Sequence, residues 1–279
     1  MPELLTPMPE LKTPHVPLLF AALPAVHPAR DNVPWQRPLT EAAVAAEHAG
    51  IDALVVERGA GLQEPVLDPV VVLAGLAPRT YRLGLVAEVP SSSGEPERLA
   101  GELASLDTIS GGRAGWLVPE PEGQFVPASD GQLGAESDGQ FGPKHGPAEA
   151  FIDEVGEHWK GRRPLVLTSW PPSPSATRQA DGTVGPPAPS GLALKTFTVA
   201  LEPGEAVAQR LEAALADGRT DGLLLRFPGG SAGLLRFAHE TVPMLRDRAL
   251  LPERTASPRQ LWARLGLERP IAAPHGPAA

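Results

Sequence analysis

The 279-residue chain has no cysteine. That absence excludes a disulfide framework, a thiol nucleophile and a cysteine-ligated metal. No run of about 18 apolar residues occurs, so no segment reads as a membrane-spanning helix. Basic runs are missing too. Lys and Arg number 24 against 33 Asp and Glu, a net charge of −9, and this lacks the basic footprint of a nucleic-acid binder. Met1 to His15 is rich in proline and carries two acids, so it does not supply the apolar core of a signal peptide. His-x-x-x-His and His-x-Glu spacings are absent, and Asp130, Glu136 and Asp138 lie in a glycine-rich stretch without the calcium-loop pattern. These exclusions point to a soluble cytoplasmic protein, with no nucleic acid, membrane or metal partner.

What the chain has in excess is glycine and proline, 29 and 34 residues, and they are unevenly placed. Residues 1–15 and 270–279 read as a leader and a tail without a fixed fold. Residues 119–147 and 170–191 read as two irregular insertions, since neither repeats at a structural period. Between them run short apolar segments alternating with amphipathic ones. Strands are expected at Val16 to Ala22, Ile51 to Val56, Arg82 to Val89, Arg113 to Val118, Pro164 to Thr168, Leu194 to Leu201 and Asp221 to Phe227. Helices are expected from Pro38 to Ala49 with Thr40 as a cap, from Asp68 to Ala77 with Asp68-Pro69 as cap and first turn, and over Pro96 to Ser110. Others follow over Ala148 to Lys160, Glu205 to Ala216, Leu234 to Arg248 and Ser257 to Leu265. Strands that are apolar throughout, alternating with helices, form a parallel sheet. The count is about seven strand-helix units in one α/β domain over residues 16–269, one short of a closed barrel.

The stretch from Leu99 to Val118 carries the most information. Leu99, Leu103, Leu106 and Ile109 recur at helical spacing and are expected as one buried stripe. Ser110-Gly111-Gly112 stops the helix, because glycine accepts the left-handed conformation common at a helix C-terminus. Arg113 then opens a strand. A turn from helix to strand lies on the N-terminal face of a barrel, so these glycines are expected to be structural.

Leu103 to Trp116 resembles the helix-turn-strand of bacterial-luciferase-like flavin monooxygenases, in the branch that includes nitrilotriacetate and dibenzothiophene-sulfone monooxygenases. Gly50 to Leu54, Glu95-Pro96, Asp221-Gly222-Leu223, Arg226-Phe227-Pro228, Val242 to Leu245 and Leu261 to Pro270 add to the resemblance. It implies a TIM-type (β/α) barrel, here incomplete, that binds reduced FMN at the C-terminal ends of its strands. Oxygen added to that flavin would oxygenate a small organic substrate, with a separate flavin reductase supplying the reduced cofactor. Departures accompany the match. Relatives place an asparagine and a threonine from the fourth strand against the flavin, where this chain has Leu117 and Pro119-Glu120. After the fifth strand Ser169-Trp170-Pro171-Pro172 replaces a Gly-Ala-Ser phosphate turn. Those losses favour an alternative, a catalytically silent shortened paralogue that binds or interacts without turning over.

Candidate cofactor-binding residues at the C-terminal ends of the strands are Glu57, Arg58, Ser92, Ser93, Leu117, Glu120 and Ser169, with His27 as the candidate acid or base. Ser91-Ser92-Ser93-Gly94 also serves as an ordinary cap before a helix, and Glu57 and Arg58 also suit ion pairs at the rim. Gly229-Gly230-Ser231-Ala232-Gly233 matches the Gly-x-Ser-x-Gly of a serine hydrolase, which makes Ser231 the nucleophile of a rival reading. Beyond Ser231 only His239 and His275 remain as its histidine. An incomplete barrel leaves sheet edges to cover, so a homodimer is expected. Light scattering at micromolar concentration should return twice the chain mass; a monomer contradicts this expectation.

Overall fold

The computed structural model describes residues 18–24, 26, 35–58, 66–91, 94–119, 148–159, 165–168, 194–199, 204–215, 222–251 and 261–265. The leader, the tail and nearly all of the two insertions lie outside them. Seven parallel strands form one sheet: β1 (Leu18–Leu23), β2 (Ala53–Glu57), β3 (Gly84–Glu88), β4 (Ala114–Val118), β5 (Leu165–Thr168), β6 (Leu194–Thr198) and β7 (Gly222–Arg226). Their spatial order is β5-β4-β3-β2-β1-β7-β6, and the sheet curls into a half-barrel. An eight-stranded barrel closes by pairing its last strand with its first. Here β7 pairs with β1, and β6 with β7. The unit missing among the described residues therefore falls between β5 and β6, the sixth in barrel order.

Strands β1 to β4 and β7 are apolar along both faces up to their C-terminal ends, because both faces are covered, whereas Thr196 and Thr198 of β6 are exposed. The outer face packs on α1 (Gln36–His48), α2 (Pro69–Leu76), α3 (Pro96–Ser110), α4 (Ala148–His158), α5 (Gly204–Leu215) and the run of α6 (Gly230–Arg236), a π-helical turn (Phe237–Thr241) and α7 (Val242–Asp247). The inner face holds a second cluster, including Phe20, Val55, Val86, Leu117, Leu167 and Leu224. The short helix α8 (Leu261–Arg264) adds Leu261 and Leu265 to that inner cluster. A methyl group at Gly84 would come within 2.7 Å of Leu261 Cδ1, so this glycine makes room for α8 against the base of β3.

Several elements differ from their sequence-based expectation. Helix α1 starts at Gln36, so Thr40 lies inside it and caps nothing. In α3, Leu99, Leu103 and Leu106 are buried, whereas Ile109 is 58% exposed and Ser110 is fully buried instead. At about 100° per residue Ile109 falls about 80° to one side of Leu99, whereas Ser110 falls about 20° from it and continues the buried stripe. The expected single helix over Leu234 to Arg248 starts at Gly230 and contains the π turn. Pro243 explains it: proline lacks an N–H and its ring crowds the carbonyl four residues back. The Val242 amide donates to Phe237 O, five residues back, and the widened turn accommodates the ring. Asp68 does cap α2, its Oδ1 accepting from the amide of Val70 at 2.8 Å. Phe151, Val155 and Trp159 form the buried stripe of α4.

The N-terminal side of the sheet is held by buried charge. Arg113 is fully buried and donates to Ser110 O (2.8 Å), Thr80 Oγ1 (2.9 Å), Leu83 O (2.7 Å) and Ala77 O (2.8 Å). Glu47 accepts from the amides of Tyr81, Arg82 and Leu83 at 2.8 to 3.0 Å. Burial works to raise the Glu47 pKa, but these amides and the nearby Arg113 hold it below the ordinary carboxylate value. Asp52 Oδ2 accepts from the amide of Leu19 at 2.8 Å, fixing β2 beside β1. Gly111 and Gly112 take φ of 71° and 86°, as the helix-to-strand turn requires. Replacing Arg113 by methionine keeps the stem but leaves three buried carbonyls without their donor. It should cost about 3–5 kcal/mol of unfolding free energy in urea titration; a loss under about 1 kcal/mol would contradict the role.

Candidate active site

Strands β2, β3 and β7 share one pattern: Ala-Leu-Val-Val-Glu, Gly-Leu-Val-Ala-Glu and Gly-Leu-Leu-Leu-Arg. Each is an apolar run ended by a charge. Alternation along a strand sends residues two apart to the same face. Since Val55, Val86 and Leu224 belong to the inner cluster, Glu57, Glu88 and Arg226 also point inward, at the C-terminal mouth. Glu57 and Glu88 are direct register partners. Arg226 is in register with Ala22 of β1, whose small side chain lets the guanidinium reach past β1.

The three side chains meet. Arg226 Nη1 lies 2.5 Å from Glu57 Oε1, and Nη2 lies 3.3 Å from Glu88 Oε2. The side chains of Glu57 and Glu88 are 17% and 11% exposed, against 35% for Arg226. One guanidinium cannot neutralise two carboxylates, and the group carries a surplus negative charge when both are ionised. Burial, and then the neighbouring Glu57 charge, push the Glu88 pKa up to about 7 against the pull of Arg226. Burial also raises that of Glu57, which Arg226 opposes. Buried carboxyl groups with shifted pKa values cluster at functional sites. The C-terminal mouth is also where barrel enzymes place their chemistry.

The surroundings are apolar. Leu117 is in register with Glu88 and is buried on the inner face. A cavity of about 160 Å3 opens beside Arg226, lined by Ala22, Pro24, Glu57, Thr198, Phe227 and Pro228. A larger one of about 320 Å3 lies on the outer side of the sheet, where Arg58 faces Asp68, Val89, Arg98 and Phe151. Glu57 and Arg58, adjacent in sequence, therefore serve opposite faces. Trp116 also points outward, its indole N–H donating to Val89 O at 2.8 Å and its ring packing edge-on to Phe151.

Of the residues expected from sequence, Glu57 and Leu117 come together at the mouth and Arg58 lies apart. His27, Ser92, Ser93, Glu120 and Ser169 fall outside the described residues. Ser231 stands in the first turn of α6, and His239 is eight residues on along the same helical run. That is a rise of about 12 Å, too far for the hydrogen bond that would activate a serine. Glu88 and Arg226 were missed by sequence reasoning. The shared strand pattern was the signal that could have found them.

The half-barrel defines an incomplete (β/α)-barrel fold, with a candidate site at the ends of its strands. Residues 18–137 match the model of the family described as luciferase-like monooxygenase. Over that stretch, less than half of its length, the chain is similar to that family. Its fold is similar to that of EDTA monooxygenase (EmoA) from Chelativorans sp. BNC1, at 16% identity and a TM-score of 0.62 over 90% of this chain and 98% of that one. It is also similar to a riboflavin lyase (RcaE) solved with modified FMN and riboflavin, at 17% identity and a TM-score of 0.51 over 94% and 98% of the two chains. The N-acetyl-S-(2-succino)cysteine monooxygenase of Bacillus subtilis (strain 168) is 43% identical over 51 residues, 18% of this chain and 12% of that relative. The match thus spans about an eighth of that relative's length.

The raised Glu88 pKa has a measurable consequence for stability. Between the carboxyl pKa of the unfolded chain, about 4.3, and the folded value of about 7, the folded state binds more protons. Stability therefore falls as pH rises through this window and levels off above it. Glu47 acts oppositely and lower, losing its contribution as the pH drops below the unfolded carboxyl pKa. Chemical denaturation from pH 5 to 8 should show the decline in the wild type, and a clearly smaller one in Glu88→Gln. Equal slopes in the two proteins would contradict the assignment.

Proposed function

We propose that this chain is a flavin-dependent monooxygenase, taking reduced FMN at the C-terminal mouth of the half-barrel and oxygenating a small organic substrate. The observation that carries this reading is the Glu57–Arg226–Glu88 group, set at the mouth of a luciferase-like barrel over an apolar floor. When bound, the reduced flavin supplies oxygen activation; the residues of the chain bind it, orient it and keep water away. The donor set suits a flavin ring, a flat apolar surface with one polar edge that bears both N–H and carbonyl groups. Leu117, Ala22 and Phe20 offer the apolar floor. Glu57 accepts a hydrogen bond from an N–H, and Glu88 either accepts one or, when protonated, donates one to a carbonyl. Arg226 fixes both carboxyl groups in place. A separate reductase and a second copy of the chain complete the proposed system.

One observation favours a second reading, a paralogue that binds flavin weakly or not at all and works as an interaction protein. Leu117 occupies an inner-face position at the mouth and makes no hydrogen bond through its side chain, so part of the flavin edge would lose a partner there. An unpaired buried polar atom costs about 1–3 kcal/mol.

Fluorescence titration with FMN, and anaerobic absorbance titration with reduced FMN, separate the two readings. The monooxygenase reading predicts saturable binding of the reduced form below about 1 mM, a free energy tighter than roughly −4 kcal/mol. No binding up to that concentration favours the paralogue. Leu117→Asn restores an amide to the fourth strand and should tighten reduced FMN binding about tenfold. Unchanged or weaker binding would place the flavin edge elsewhere.

A further inference from the structure

Glu88 is more buried than Glu57 and holds its share of Arg226 by the longer contact, 3.3 Å against 2.5 Å. The guanidinium is thus committed mainly to Glu57. Among the described residues, Arg226 is the one side chain hydrogen-bonded to Glu88, and that bond uses Oε2 alone. The charged groups acting on Glu88 from the packed elements are Glu57 on β2 and Arg226 on β7; its register neighbour on β4 is Leu117. A carboxyl group so placed is stable in two forms. Ionised, it is held by Arg226 Nη2.

We propose that Glu88 is the proton-exchanging residue of the mouth, donating a hydrogen bond to a ligand when protonated and pairing with Arg226 when ionised, with Glu57 and Arg226 as its positioning residues. In the exchange the carboxyl O–H bond breaks, the proton passes to water, and the electron pair left on oxygen accepts from Arg226 Nη2. No oxidant or second reactant is needed. The pKa of about 7 sets this exchange within the working range of a neutral cytosol. Identifying the ligand as a flavin rests on the proposed function above; the two forms of Glu88 do not.

The ligand-free protein gives the first test. With glutamate labelled at the side-chain carboxyl carbon, the Glu88 resonance (assigned by its loss in Glu88→Gln) should titrate near pH 7. Glu57→Gln removes the like charge and should move that midpoint down; Arg226→Met removes the counter-charge and should move it up. A Glu88 midpoint in the ordinary carboxylate range, or one unmoved by Glu57→Gln, overturns the proposal. If Arg226→Met does not fold, the Glu57→Gln shift decides alone. The second test is flavin affinity against pH. Wild-type binding should weaken up to tenfold per pH unit above about pH 7, and Glu88→Gln, whose amide always donates, should bind with constant affinity from pH 6 to 8.5. An equal fall in the variant overturns the role of Glu88. Should no flavin bind at any pH, the proposed function fails, and the carboxyl titration still decides the proton-exchange assignment.

Discussion

Arg226 spans the inner face of the sheet, from β7 past β1 to β2 and β3. That reach is the constraint on which the mouth depends. It requires a small residue at the crossing, which is Ala22, and parallel register that brings Glu57 opposite Glu88. With a bulky side chain at position 22 the two carboxylates would face each other without their cation. Breaking a buried ion pair by removing one partner costs about 3–5 kcal/mol, and the partial exposure of Arg226 lowers that cost here. The same interaction ties together strands that lie apart in sequence, across a sheet left open between β5 and β6 among the described residues.

Charge is divided between the two ends of the half-barrel by task. At the N-terminal end Arg113 is held by three backbone carbonyls and Asp52 accepts from the amide of Leu19, and buried charges paired in this way build a rigid base. At the C-terminal end one cation serves two carboxylates, and the shortfall appears as a raised Glu88 pKa. A fully paired network stabilises; an underpaired one at a mouth is poised to respond to a ligand. The stretch that carries the family resemblance, from Leu103 to Trp116, runs from the first end along the outer layer. Its arginine and tryptophan hold the turn and the outer layer, and neither reaches the inner mouth.

Much of the fold was legible in the sequence, because short apolar runs, glycine stops and the Asp68-Pro69 cap are local signals. The seven strands and their alternation with helices followed from these. Ile109 misled because the buried stripe continues one residue on, at Ser110, and Thr40 because the helix begins four residues earlier, at Gln36. The site was only half legible. Glu57 stood out beside Arg58, but its partners lie 31 and 169 residues further on, and the strand ending that all three share does not say which charges meet. Register and curvature do so, and both arise only once the sheet forms. Leu117 was read from the resemblance, and the structure gives that reading a physical meaning by placing the side chain on the inner face beside Glu88.

The central claim is that the polar mouth, and not the outer cavity around Arg58, receives the flavin ring. A crystal structure of the protein soaked anaerobically with reduced FMN tests this most directly. The ring is predicted to lie on Leu117 with its polar edge within hydrogen-bonding distance of Glu88 and Glu57. Ring density in the outer cavity among Arg58, Asp68 and Phe151, with the mouth unchanged, would contradict the account.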